Sequence, residues 1–169
     1  MRAAVALAAL AVLAAGAAQA QEEDYAPRWM GQVEKTEAHL AYAVPESDEV
    51  QVALSCTRKT GQIRIFFPAE ERLAETLRGS TWLDKVGRPA PWPVSVTVAS
   101  GAQSTTVRGQ ADADELAGGS SVTVELTDRA PVIQAFAKTG ELRVSALGTA
   151  VEVPPAPRRD AGRFVRACR

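Results

Sequence analysis

The sequence predicts a mainly β domain: an antiparallel β-sandwich or a partly open barrel with two or three short helices, one of them C-terminal. Three observations carry that prediction. Eight or so short segments alternate apolar and polar residues with the period of two expected of a strand buried on one face. Two or three brief stretches change to the three-and-four spacing of a helix. The strand segments also follow one another too closely to leave room for the crossover helices of a parallel sheet.

Taken in order, residues 1–20 read MRAAVALAALAVLAAGAAQA. One Arg precedes an uncharged run of Ala, Val and Leu, and small residues close it at Ala18 and Ala20, the pattern of a secretory signal peptide. The alternative, a membrane anchor, needs ~20 apolar residues, and the run from Ala3 to Ala18 is shorter. Residues 21–28 form an acidic, flexible leader, and 29–169 a single β-rich domain. The whole chain has 19 basic and 20 acidic side chains, and Arg2 leaves with the signal. Such a balance gives no general attraction to nucleic acid or to an anionic membrane.

HLAYAV places Leu40, Tyr42 and Val44 on one face, with His39 on the other. Residues 48–67 read as a β-hairpin: Val50, Val52, Leu54 and Cys56 point inward, TRKTG turns, and Ile63, Ile65 and Phe67 point inward again. Residues 68–78, PAEERLAETLR, change period at Leu73, Ala74 and Leu77, and predict a short surface helix begun by Pro68 and ended by Gly79. The stretch STWLDKVGRPAPWP reads as a long ordered loop or a strand interrupted by turns. VSVTVAS and STTVRG then predict a hairpin across SGAQ, and SSVTVELT another strand. In DRAPVIQAFAKTG, Asp128 is placed to cap a helix, Pro131 to open it and Gly140 to close it. ELRVSAL and TAVEVP return to alternation. After PPAP, the final RRDAGRFVRACR predicts a helix with Phe164, Ala167 and Cys168 on one side and Arg159, Arg163 and Arg166 on the other.

Cys56 and Cys168 are the only cysteines. In an exported chain two cysteines pair as the first expectation, against two free thiols or a link between molecules. A bridge across more than a hundred residues destabilises the unfolded chain by about 4 to 5 kcal/mol. It would also hold a terminal helix that has little apolar surface of its own to dock with.

Catalytic constellations are sparse. His39 is the only histidine, so a hydrolase would have to be built around it, and no Gly-x-Ser-x-Gly elbow occurs. His39 reads as solvent-facing, and no catalytic residue is assigned. Asp112, Asp114 and Glu115 could touch Ca²⁺ but lack the EF-hand loop, so they read as a solvated turn and no metal or cofactor is expected. Glu70, Glu71 and Glu75 read as surface charges rather than a carboxylate pair for glycoside chemistry. Trp82 and Trp92 flank the proline-rich loop, either as a possible ligand surface for sugar or peptide or as caps on the core.

The LSC strand ending, the unit VIQAFAKTGELRVSALG and the closing RFVRAC resemble segments of secreted proteins of GC-rich proteobacteria. More distantly, the close of the chain is similar to VasI-like proteins associated with type VI secretion. The resemblance implies an envelope β domain tied by Cys56 and Cys168, with Phe164 at its helical spacing and no known catalysis. The resulting expectation is a periplasmic or secreted, non-enzymatic protein that binds an envelope protein or cell-wall ligand. A secretion-system accessory and a hydrolase near His39 are the alternatives.

Overall fold

The computed structural model describes residues 25–169; residues 1–20, read as a signal peptide, and residues 21–24 of the leader lie outside them. The described chain is mainly β. Its strands are β1 (Arg28–Val33), β2 (Glu37–Ala43), β3 (Val50–Thr57), β4 (Gln62–Ala69), β5 (Thr76–Arg78), β6 (Thr81–Leu83), β7 (Trp92–Ser100), β8 (Gln103–Ala113), β9 (Ser120–Thr127), β10 (Arg143–Ala146) and β11 (Thr149–Glu152). The helices are α1 (Pro131–Thr139) and α2 (Arg158–Cys168).

Nine strands form one antiparallel sheet in the order β1-β2-β3-β4-β9-β8-β7-β10-β11, curled into a half-barrel, and β5-β6 form a separate ribbon. Of the two architectures predicted, the partly open barrel is therefore the one formed. Alternation explains why. Val52, Leu54 and Cys56 of β3, Ile63, Ile65 and Phe67 of β4, and Val122 and Val124 of β9 are all buried, so a single face is apolar across the centre of the sheet. The helices lie on that face: α2 against β1 and β2, and α1 against β7 and β8. They contribute Val132, Ile133 and Phe136 from α1, and Ala161, Phe164 and Val165 from α2.

Residues 68–78 are not a helix. Pro68 and Ala69 finish β4, paired with Ser121 and Ser120 of β9, and Thr76–Arg78 form β5. Two turns of three-and-four spacing can be met equally by an extended segment that tucks Ala74 inward. Side chains satisfy its backbone: the Ser120 hydroxyl donates to the Glu71 carbonyl at 2.7 Å and accepts from the Leu73 N–H at 3.3 Å. The leader also ends sooner than predicted, since Arg28 already belongs to β1.

α1 begins at Pro131 and ends at Gly140, whose left-handed φ of 76° lets its N–H bond the Phe136 carbonyl. Asp128 does not cap it. Its buried carboxylate instead accepts from Arg169 Nε at 2.9 Å. Cys56 and Cys168 are joined as a disulfide. The Gly61 N–H donates to the Cys168 carbonyl at 2.8 Å and the Lys59 N–H to the Ala167 carbonyl at 3.4 Å, so the end of α2 is fastened to β3 by the disulfide and to the β3–β4 turn by two backbone hydrogen bonds. The barrel's open seam is also pinned: Trp29 Nε1 of β1 donates to the carbonyl of Pro154, just beyond β11, at 2.6 Å.

Candidate binding surface

The loop carrying the two tryptophans is organised by Asp84. Its Oδ1 accepts the N–H groups of Val86 and Arg88 at 3.0 and 2.8 Å, and its Oδ2 accepts Arg88 Nε at 2.7 Å. Burial pushes the Asp84 carboxyl up, but the Arg88 backbone N–H, the Arg88 guanidinium and the Val86 N–H outweigh it and hold the group below its ordinary value. The turn this creates returns the chain so that Trp92 opens β7.

Trp92 and Trp82 then part company. Trp92 is only 3% exposed and its Nε1 donates to the Arg88 carbonyl at 3.0 Å, so it caps the core and offers nothing to a ligand. Of the two readings of these rings, Trp92 follows the one that sets it on the core. Trp82 stays half-buried on the β5-β6 ribbon, directly opposite Leu77. The Arg72 guanidinium lies 5.6 Å from the centre of its ring, a cation–π contact. Its Nε1 donates to Glu115 Oε1 at 2.7 Å, which draws the β8–β9 turn alongside. That turn carries Leu116, 91% exposed, while Leu77 is 50% exposed and Val86, in the adjoining loop, 65%. The exposed apolar side chains nearest Trp82 along these links are therefore Leu77, its cross-strand partner, and Leu116, next to Glu115. A large apolar residue isolated in the acidic stretch ADADELAGG was the available sequence signal for Leu116.

The carboxylates of the same turn are occupied in holding it. Asp114 Oδ1 accepts the N–H groups of Leu116 and Ala117, and Glu115 takes the indole N–H. Among the described residues no three His, Cys, Asp or Glu side chains converge as a metal site.

His39 lies on the outer, polar face of β2, with Nε2 3.2 Å from Glu37 Oε2. Ser55 stands opposite it on β3, followed across the sheet by Arg64 and Glu125, which are paired at 3.0 Å. A carboxylate–imidazole pair beside a serine resembles part of a hydrolytic triad; among the described residues the His39 ring is bonded to Glu37 and to no hydroxyl. Glu70, Glu71 and Glu75 are exposed on the extended segment and on no helix.

One groove, of about 490 Å³, lies where β11 approaches the end of β4. Its walls are Pro68, Ala69 and Glu70 on one side, Ala150 and Val151 on the other, and the glycines of the β8–β9 turn. A Cβ on Gly119 would meet the Ala69 carbonyl at 2.3 Å, so only glycine lets the turn sit this close. No helix among the described residues is long and apolar enough to cross a membrane. No protein family, curated protein or solved structure matches this chain.

Proposed function

We propose that this is an exported protein, periplasmic or secreted, that acts without catalysis by binding an envelope partner through Leu77, Trp82 and Leu116. The observation that carries the reading is Leu116. Covering one leucine side chain is worth about 1.5–3 kcal/mol, yet this one stands almost wholly in water beside a tryptophan that two neighbours orient. Single exposed apolar residues are ordinary, but two flanking one oriented indole are what an interface core requires. The disulfide supports an oxidising compartment. The link between a strand cysteine and a last-helix cysteine also supports the second reading, a secretion-system accessory like the VasI-like proteins.

The test is a photoreactive amino acid at position 116, activated in cells. A discrete envelope adduct that disappears with Trp82→Ala is the expected result. No adduct, or one indifferent to Trp82, overturns the reading.

A further inference from the structure

We propose that the free edge of β11 takes a short extended segment of a partner protein as an added strand, and that this segment carries a Lys or Arg opposite Glu70. The proposal goes beyond the binding role argued from Trp82 and stands on different residues.

The register of the last hairpin decides which backbone groups are free. Leu147 and Gly148, with φ of 52° and 72°, form the two-residue turn of type I′ geometry between β10 and β11. In such a hairpin the closing pair, Ala146 and Thr149, exchanges both hydrogen bonds, and alternate pairs beyond it do so again. Val144 and Val151 are therefore bonded to each other. Ser145 and Arg143 turn their N–H and C=O groups to β7, where their partners are Thr97 and Ala99. By the same alternation Ala150 and Glu152 turn theirs away from β10, out of the sheet. Both residues are exposed, and no backbone hydrogen bond engages them among the described residues. Two outward-facing peptide units, one residue apart, form the template for strand addition.

The space beside that edge has the matching shape and charge. The groove of about 490 Å³ is lined by Thr149–Glu152, by Pro68 and Ala69, and by Gly118 and Gly119. The Glu70 N–H donates to the Thr149 hydroxyl at 3.0 Å and bridges its two sides at the hairpin end, so the added strand lies along residues 150–152. Small side chains leave room for a backbone and one row of side chains. Two carboxylates line it, Glu70 and Glu152, and no basic side chain does. Glu152 is paired with Arg143, whereas Glu70 has no ion-pair partner among the described residues. A cationic side chain on the added strand meets that charge.

The test is a random dodecapeptide selection on the oxidised protein, followed by affinity measurement of the selected peptides. Peptides with alternating residues and a conserved Lys or Arg are expected. Ala150→Pro removes one outward N–H without touching the β10 ladder and should weaken them at least tenfold, as should Glu70→Lys, while His39→Ala, on the outer face of β2, leaves them unchanged. Bound peptide should also slow amide exchange at Ala150 and Glu152 in the unaltered protein, a readout independent of how the variants fold. The proposal is overturned if no peptide is selected, if binding ignores both β11-groove changes, if His39→Ala abolishes it, or if exchange at the two amides is unaffected.

Discussion

Asp128 shows how much one side chain can hold at a chain end. Its carboxylate is buried, 6% exposed, while its partner Arg169 is half in solvent, so the two halves of the pair are not equivalent. Removing the arginine strands a buried acceptor, which costs about 1–3 kcal/mol. Arg169→Ala is therefore expected to lower stability by that amount in urea denaturation, and Asp128→Asn in the same background to return part of it, because the amide carries no charge to desolvate. Asp84 makes a prediction of a different kind. A carboxyl held below its ordinary value stabilises the fold fully above the unfolded range, near pH ~4, and that contribution is lost as the pH falls through the lowered folded value. Trp92 packs on the same loop through the Arg88 carbonyl, so its fluorescence should report an acid loosening that Asp84→Asn abolishes.

At the level of elements, α2 is the one whose position depends most on covalent chemistry. It buries Ala161, Phe164 and Val165, and its final residues are held at the β3–β4 turn through Cys168. Reduction, or the double change Cys56→Ser and Cys168→Ser, is expected to lower the unfolding free energy by about 4–5 kcal/mol for a closed loop of this length. The Arg169 and Gly61 links remain, so the reduced protein should still show α2 helicity by circular dichroism at low urea. α1 depends on its exit instead. A Cβ on Gly140 would lie 2.0 Å from the Ala156 carbonyl and would have to adopt a left-handed φ. Gly140→Ala is thus expected to cost at least ~1–2 kcal/mol, the penalty of that backbone region alone, and to leave the expressed protein with a lower urea midpoint. The β5-β6 ribbon is tied by fewer contacts to the main sheet, chiefly through Trp82 and Glu115, and is where amide exchange should be fastest among the strands.

For the whole molecule, one curled sheet with both helices on its inner face makes one core and one cooperative unit. Tryptophan fluorescence and far-ultraviolet dichroism should give coincident urea transitions, since Trp29 joins the seam and Trp92 the core; separate transitions would show two units. The central strands β3, β4, β7 and β9 were legible in the sequence, because a strand with one wet and one dry face writes that difference into alternate residues. The same holds for α1, bounded by Pro131 and Gly140, and for the inward setting of Cys56. β1 was not legible: it is an edge strand exposed along most of its length, so no alternation marks it. Nor was the extended course of residues 70–75, whose two apolar residues fit a helix as well as a tucked chain. The two tryptophans show the limit most clearly, for one residue type in one loop met opposite fates once Trp92 paired with Ala111 of β8 and Trp82 was carried out on a separate ribbon. Sequence alone determined the local period, the turn chemistry and the cysteines available for a bridge, all of which depend on neighbours along the chain. Tertiary structure decided the curl of the sheet, the seam and the exposed surface, because each depends on residues tens of positions apart or more meeting in space.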